Sequence, residues 1–226
     1  MEIIGKGIYS LPVAAKLLEM PYNKVYRWAK GYKYSLNNNF INIPSLIKSE
    51  YEPKNDFFVI SFLDLIELLF IKNFLKLGVS LHTIRKACIS ASELLNSTHP
   101  FAMKKFYTDG KTILAKIAEK DKDPFLLDLL KKQYKLDKII NHYLKNCIDF
   151  NEFDHAERWW PIGKEKGIVL DPNRNLGQPI LNKYNIRTDV ICDLYMNNHN
   201  KNEISEWYNI DFTSIENAIR YEKSIN

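Results

Sequence analysis

The chain has 226 residues, of which 46% are hydrophobic and 26% are charged, which are ordinary values for folded globular domains. No apolar run reaches the ~18 residues of a membrane span, and the longest, at 63–74, is interrupted by Asp64, Glu67 and Lys72. The first residues lack the pattern of a signal peptide, and three widely spaced cysteines fit neither a disulfide framework nor a zinc site. We therefore expect a cytoplasmic protein with no metal and no cofactor.

The net charge of +5 is unevenly distributed along the chain. Residues 20–49 contain no acidic side chain. The basic residues of this segment are Lys24, Arg27, Lys30, Lys33 and Lys48. A basic run is commonly just a solvated surface. Here most of the cations fall on one predicted helix and its neighbour, a pattern that favours an electrostatic surface for phosphate groups.

Two short helices joined by a tight break are predicted near the start of the chain. Ser10 is a suitable N-cap for the first helix, and apolar residues recur at helical spacing behind it. Pro21 ends that helix, because proline cannot continue a helical hydrogen-bond ladder. The second helix is predicted to run to about Lys30, and Gly31 stops it.

A β-hairpin and two longer helices are predicted next. Residues 32–43 alternate loosely around an Asn-rich turn, which is the pattern of a hairpin wing, and the residues up to 55 are irregular and polar. A strongly apolar helix is predicted over 62–77, followed by another that Ser80 caps and that ends near Leu95. The helix over 62–77 is more apolar than one buried stripe requires, so it is either a core helix or a dimer interface.

The middle of the chain is predicted to be rich in β-structure. Asp109 and Gly110 form a type I′ turn signal, so residues 106–117 are predicted to form a hairpin. Residues 126–143 are periodic, and both a continuous helix and a helix that gives way to a strand remain open. Residues 146–161 are predicted to form a second hairpin, in which one of two adjacent tryptophans faces the core. The other is either exposed as an interface anchor or, as the favoured alternative, also in the core.

The last part of the chain is predicted to contain three short helices. Thr188 is expected to cap the first, which ends at 196, and the other two are predicted over 202–207 and 213–221. A sharp turn separates the first two helices, so the layout is again that of a helix-turn-helix. The predicted fold class is therefore mainly α with β-hairpins (α+β).

The segment SLPVAAKLLEMPYNKVYRWAKGY, followed by LDLIELLFIKNFLKLGVSLHTIRKA, resembles the winged-helix DNA-binding domain of the MerR family. The run Leu-Gly-Val-Ser-Leu-x-x-Ile at 77–84 matches the junction between the third and fourth helices of that domain. This resemblance implies a DNA-binding domain over residues 1–98, which would be followed by a β-rich middle segment over 99–163 and a C-terminal helical module over 164–226.

The C-terminal block is similar to the small helical domain of unknown function 433, which is common among bacterial antitoxin-like proteins. The matching positions are Asp171, Pro172, Gly177, Pro179, Ile186, Thr188, Glu203, Tyr208, Ile215, Ala218 and Tyr221. The order of the two blocks, with Arg-Trp-Trp-Pro at 158–161 between them, resembles antitoxins of the VapB type. That resemblance implies a PIN-like ribonuclease toxin as the partner.

The second helix of a helix-turn-helix lies in the major groove with its N-terminal residues at base edges. Asparagine pairs there with adenine and arginine with guanine, because each makes two hydrogen bonds to one base edge. Residues at the far end of the helix and in the wing are better placed for phosphate or minor-groove contact. The predicted DNA-binding residues are Asn23, Lys24, Tyr26, Arg27, Lys30, Lys33 and Tyr34. We expect binding as a homodimer, because a single domain of this size makes few contacts.

A partner surface is predicted around the second hairpin, where acidic residues surround the turn. The expected partner-binding residues are Glu152, Asp154, Trp159, Trp160 and Arg187. An acidic turn of this kind is equally compatible with simple solvation. No histidine falls at metal-ligand spacing, and no catalytic grouping can be assembled, so the chain is not expected to be an enzyme; a hydrolase that uses Asp149 or His155 is the disfavoured exception.

The leading hypothesis is an antitoxin of a type II toxin-antitoxin system that binds operator DNA, regulates its own operon and neutralises a PIN-like ribonuclease. The alternative is a stand-alone MerR-like regulator whose C-terminal part senses a small ligand. An operator affinity that changes with a ligand, and not with a protein, would distinguish the alternative.

Overall fold

The computed structural model describes residues 5–36, 39–52, 58–122 and 147–225, and the elements below are numbered over these residues. They fall into two compact units. The first comprises residues 9–122 and 150–156, and the second comprises residues 5–8, 147–149 and 157–225. The predicted periodic segment at 126–143 lies outside the described residues. No described helix combines the length and the apolar character that crossing a membrane requires.

The first unit begins with a short strand, which is followed by the two predicted helices. Strand β1 (Tyr9–Ser10) leads into α1 (Leu11–Leu17), where the Ser10 side chain accepts a hydrogen bond from the backbone of Val13. Helix α2 (Tyr22–Lys30) follows Pro21 and ends at Gly31. Lys72 from further along the chain donates to the Leu18 carbonyl oxygen at 2.5 Å and so satisfies the end of α1.

The predicted hairpin is confirmed. Strands β2 (Tyr32–Leu36) and β3 (Asn39–Ile43) pair antiparallel, with Tyr32 opposite Ile43 and Ser35 opposite Phe40. Strand β4 (Val59–Ile60) returns to pair antiparallel with β1. The hairpin therefore follows directly on α2 and is separated from it only by Gly31.

Helices α3 (Phe62–Lys76) and α4 (Leu81–Leu95) lie where the sequence predicts them. Ser80 caps α4 by accepting a hydrogen bond from Thr83. Most of α3 is buried within the chain, including Leu65, Ile66 and Phe70. Its apolar surface is thus already covered in one chain, which favours the core-helix interpretation over a dimer interface.

The hairpin prediction for residues 106–117 was wrong. This segment lies inside a single helix, α5 (Lys104–Asp121), which follows a 3₁₀ turn at Pro100–Ala102. The buried side chains of the segment, Phe106, Ile113 and Ile117, recur at helical spacing. The Phe106 ring contacts those of Phe70 and Phe101 with centroids 4.9 and 4.8 Å apart. This packing outweighs the cost of placing a glycine inside a helix, which is only about 1 kcal/mol relative to alanine.

The second unit contains short strands and the C-terminal helices. Strands β5 (Ile148–Phe150) and β6 (Ala156–Trp159) pair with each other, as predicted for the second hairpin, and the turn between them, with the adjoining ends of both strands (150–156), belongs to the first unit. Strands β7 (Ile168–Val169), β8 (Ile180–Leu181) and β9 (Ile186–Arg187) form an antiparallel three-stranded sheet.

Three helices complete the second unit. They are α6 (Thr188–Met196), α7 (Lys201–Tyr208) and α8 (Phe212–Ile225). Their inner faces form one core with Ile191, Ile204, Ile215 and Ala218 at its centre. The prediction that Thr188 caps α6 was wrong: its hydroxyl group is buried and donates to Glu222 at 2.5 Å, which joins the start of α6 to α8.

Candidate nucleic-acid interface

Helix α2 divides into a narrow buried stripe and a broad exposed face. Val25, Trp28 and Ala29 are buried against the unit. The exposed side chains of the helix are Tyr22, Asn23, Lys24, Tyr26, Arg27 and Lys30. All five predicted DNA-binding residues of α2 are therefore solvent-accessible, and they lie on the same exposed face of one helix.

The two remaining predicted residues, Lys33 and Tyr34, lie on β2 and are exposed as well. The hairpin brings aromatic rings close to the cations of α2. The guanidinium of Arg27 lies 5.1 Å from the centre of the Tyr32 ring, and the ammonium of Lys30 lies 5.3 Å from that of Tyr26. These cation–π contacts orient the long basic side chains without neutralising them.

The cations of this face have no carboxylate partners within the described part of the chain. Among the residues that the structure describes, Lys24, Arg27, Lys30 and Lys33 take part in no ion pair. A basic face that is not compensated within the protein keeps its full attraction for an external polyanion.

Gly31 fixes the angle between α2 and the hairpin. Its φ of 74° and ψ of −176° are open to glycine and strained for other residues. A Cβ atom at this position would lie 2.4 Å from the carbonyl oxygen of Ile43. The end of α2 and the end of β3 therefore approach each other more closely than any side chain would allow.

The loop after β3 is held at several points. The Leu46 amide donates to the Trp28 carbonyl oxygen at 2.7 Å, and Arg85 of α4 donates to the Ser45 carbonyl oxygen at 2.7 Å. Further along, the Ser49 hydroxyl and the Glu50 amide both donate to Asp64 Oδ2, at 3.2 and 3.3 Å. These bonds join the base of the hairpin to α2, α3 and α4.

Asp64 is the centre of a buried polar cluster. Its Oδ2 also accepts from the Ser61 amide at 2.9 Å, which completes a capping box at the start of α3, and its Oδ1 lies 2.9 Å from Nε2 of His99. Burial disfavours the charged form of His99. The hydrogen bond to Asp64 and the nearby carboxylates outweigh that effect and raise the pKa of His99 above its usual value.

Glu67 lies one helical turn after Asp64 and is also buried. Its Oε1 accepts hydrogen bonds from the amides of Phe101 and Ala102, at 2.6 and 3.3 Å. Burial raises the pKa of Glu67 to about 8 despite these bonds. The cluster thus ties the 3₁₀ turn to α3. Sequence reasoning missed it, because its acids and histidine come from distant segments and resemble surface residues in composition.

Phe40 was also missed. Its side chain is 83% exposed on β3, on the hairpin face that carries Lys33. Alternation along the hairpin was the available signal, because a phenylalanine that pairs with an exposed serine in a two-stranded ribbon has no second layer to cover it.

The predicted partner residues behave differently from one another. Glu152 and Asp154 are exposed in the turn between β5 and β6, next to the strongly exposed Phe153. Trp159 and Trp160 are both buried, as the favoured alternative has it, and neither is an exposed anchor. Trp160 lies beyond the end of β6, so the alternation of that strand no longer applies to it.

Several polar side chains of this region are already bonded to other side chains of the protein. Trp160 donates from Nε1 to Asp149 at 2.9 Å, and Lys164 pairs with the other oxygen of the same carboxylate. The predicted partner residue Arg187 forms an ion pair with Asp189. Asp149, which the disfavoured hydrolase hypothesis would use, thus holds an indole and an ammonium group. Among the described residues no group of three or more potential ligands could hold a metal ion.

Three comparisons relate the chain to known proteins. No protein-family profile matches the chain. The chain is 26% identical over 200 residues to a protein of Mycobacterium tuberculosis that is described as "Putative antitoxin VapB45", and the match covers 83% of this chain and 82% of that protein. The X-ray crystal structure of Rv2018 from Mycobacterium tuberculosis shares the fold, with a TM-score of 0.73, 20% identity and coverage of 93% of this chain and 96% of that chain.

Proposed function

We propose that this protein binds duplex DNA through α2 and the β2–β3 hairpin. The observation that carries the proposal is the exposed face of α2, whose cations are uncompensated by any described carboxylate. A helix about 10–12 Å across fits the major groove. The hairpin that follows it, fixed by Gly31, would contact the neighbouring backbone as the wing of a MerR-like winged helix-turn-helix.

The roles of the residues follow from their position on α2. Asn23, Lys24 and Arg27 lie in its first two turns and would meet base edges, with Tyr26 beside them. Lys30 lies at the end of the helix, and Lys33 and Tyr34 lie on the hairpin, so these three would contact phosphates.

We further infer that the protein is an antitoxin whose partner is a PIN-like ribonuclease toxin and which regulates its own operon as a dimer. The likeness to a protein described as an antitoxin supports this inference. The turn between β5 and β6 is the best supported contact for a basic partner, because Glu152 and Asp154 flank an exposed phenylalanine there. Arg187 would contribute at a separate position. Because Trp159 and Trp160 are buried, both have a role in the core of the second unit, in addition to any contact with the partner.

DNA binding is tested by fluorescence anisotropy with a duplex that carries the sequence upstream of the gene. We expect specific binding that weakens steeply with salt, since a protein that neutralises several phosphates loses about 10³-fold or more in affinity between 50 and 200 mM salt. Binding that is equally weak on this duplex and on a scrambled duplex would contradict operator recognition.

The antitoxin inference is tested with the product of the adjacent open reading frame. Co-expression should yield a stable complex and should suppress RNA cleavage by that product, and Glu152→Lys combined with Asp154→Lys should weaken both effects. The charge-neutral exchange Phe153→Ser serves as the matched test of the apolar contribution. Undiminished cleavage of RNA in the presence of excess wild-type protein would contradict the inference and would leave DNA binding untouched.

A further inference from the structure

A cleft lies beside α2, between this helix, the base of the hairpin and the ends of α3 and α4. Its volume is about 620 Å³, within the range of about 300–1,000 Å³ that is typical of small-molecule sites. All of its lining residues belong to the first unit. The bonds from Leu46 to Trp28 and from Arg85 to Ser45 fix its walls relative to one another.

The floor of the cleft is apolar. Trp28 and Leu46 are largely buried beneath it, and Leu75 and Leu81 come from the end of α3 and the start of α4. The Leu81 side chain is 41% exposed, although it borders a largely enclosed apolar surface. Contact with an apolar molecule would remove this surface from water and is therefore favourable, at about 25 cal/mol per Å².

The rim of the cleft is cationic. Lys24 and Arg27 reach it from α2, and His82 and Arg85 reach it from α4. No carboxylate is among the described residues that line the cleft. The hydrogen bond from Arg85 to Ser45 uses one of its five N–H donors, so its guanidinium retains capacity for an anionic oxygen.

We propose that this cleft binds an amphipathic anion, that is, a carboxylate, sulfonate or phosphate group joined to an apolar aromatic or aliphatic body. The cations alone would serve equally well for a phosphate of the DNA backbone. The apolar floor distinguishes the two cases, because the sugar-phosphate backbone is polar along its length and leaves Leu75 and Leu81 without a partner.

A ligand in the cleft would also affect DNA binding. Lys24 and Arg27 line the cleft and are at the same time proposed base contacts, so an anion bound there would occupy both side chains. Operator affinity would therefore fall as the ligand concentration rises. This consequence rests on the proposed function, whereas binding of the anion itself does not.

The first experiment uses the full chain without DNA. 1-Anilinonaphthalene-8-sulfonate, an aromatic sulfonate whose fluorescence increases in apolar sites, is titrated into the protein, and decanoate and inorganic phosphate are tested as competitors. We expect saturable binding at one site, competition by decanoate, and at least about tenfold weaker competition by inorganic phosphate, since phosphate gains nothing from the apolar floor.

Two matched pairs of variants locate the site. Lys24→Gln should weaken probe binding by about fivefold to tenfold through loss of one charge-assisted contact, whereas Lys30→Gln, which removes a cation of α2 that does not line the cleft, should leave it within about twofold. Leu81→Glu should weaken it further. Leu94→Glu, at the exposed far end of the same helix, should have no effect.

Equal affinity in Lys24→Gln, Leu81→Glu and the parent protein would place the probe elsewhere and overturn the proposal. Equal competition by inorganic phosphate and decanoate would assign the cleft to backbone phosphate alone and would overturn it as well. The second experiment adds the upstream duplex, and probe binding should weaken as DNA saturates the protein. If no duplex binds at all, the proposed DNA function fails while the titrations without DNA still decide the nature of the cleft.

Discussion

The protein contains two sets of short helices that have a similar layout but differ in whether nearby basic side chains are paired with carboxylates. In the first unit, the cations of α2 lie on an exposed face without carboxylate partners among the described residues. In the second unit, Lys201 of α7 pairs with Glu216 at 2.6 Å, Arg187 of β9 pairs with Asp189, and Lys183, between β8 and β9, lies 3.8 Å from Asp211. The comparison teaches that a helix-turn-helix layout alone does not define a DNA reader. What differs is whether the basic side chains are already neutralised.

The largest expected effect concerns the backbone that holds the basic face in place. Gly31→Ala should lower the free energy of unfolding of the first unit by about 3 kcal/mol, because it combines positive-φ strain with a clash against Ile43. Gly167 provides the control in the second unit: its φ is also positive, at 69°, but nothing lies within 4 Å of an added Cβ. Gly167→Ala should therefore cost only about 1 kcal/mol.

Urea unfolding, monitored by circular dichroism, measures the free energy of unfolding of both glycine variants. Equal losses for the two would show that the close approach of α2 to β3 is unimportant for the stability of the basic face.

A second prediction concerns Arg27, which is proposed to contact a DNA base. Arg27→Ala should weaken binding to the specific operator by about 1–3 kcal/mol if its guanidinium contacts a base through two hydrogen bonds. Lys201→Ala, which removes a paired cation of α7, should leave operator affinity unchanged. Anisotropy titrations at one fixed salt concentration compare the two. An Arg27→Ala protein that binds like the parent would mean that another element reads the sequence.

A third prediction concerns how the free energy of unfolding depends on pH. It arises from the buried cluster around Asp64, Glu67 and His99, which belongs to the first unit. Glu67 keeps its proton up to about pH 8 when folded, whereas in the unfolded chain it loses the proton near 4.5. The folded protein therefore binds more protons across this window, and the free energy of unfolding falls as pH rises through it. The raised pKa of His99 acts in the same direction, since its stabilisation is present below its usual pKa and is lost as pH rises through the folded value.

Glu67→Gln should flatten this pH profile, because the amide oxygen can still accept the hydrogen bonds from Phe101 and Ala102 but cannot ionise. Urea unfolding at pH 5.5, 7 and 8.5, values chosen to bracket a shift of this size, provides the measurement. Glu93→Gln, which changes an exposed carboxylate of α4, is the control. Identical profiles for the parent and Glu67→Gln would show that Glu67 does not hold a proton in the folded protein across this pH range.

The success and failure of the sequence predictions follow from the range of the interactions involved. Helices α1 and α2 and the hairpin were predictable, because Ser10, Pro21 and Gly31 act on their immediate neighbours. The Asp-Gly pair at 109–110 was an equally local signal, yet α5 forms there because Phe106 packs on rings from α3 and the 3₁₀ turn.

The residues of the candidate site were identified by charge and position, but their environment was not. The cation–π contact of Arg27 and the cleft beside it depend on Tyr32, Leu75 and Arg85, which come from three different elements. The contacts of Asp64 with Ser49 and His99 likewise join segments that are 15 and 35 residues away in the chain. No local pattern carries such information.

The smallest expected effect concerns a single backbone contact. Lys33→Ala should weaken specific and non-specific duplexes by the same factor, and it should reduce the slope of log affinity against log salt by about 1. Titrations at several salt concentrations measure that slope. A loss confined to the operator would instead assign Lys33 to base recognition.

The central claim is that uncompensated cations of the first unit, and not the basic character of the chain as a whole, bind DNA. Two multiple variants with the same loss of four positive charges test it by anisotropy on the upstream duplex. The first replaces Lys24, Arg27, Lys30 and Lys33 with Gln, and the second replaces the paired cations Lys164, Lys183, Arg187 and Lys201 with Gln. We predict a loss of at least about 100-fold for the first variant and less than about threefold for the second. Equal losses in the two variants, or a larger loss in the second, would contradict the account.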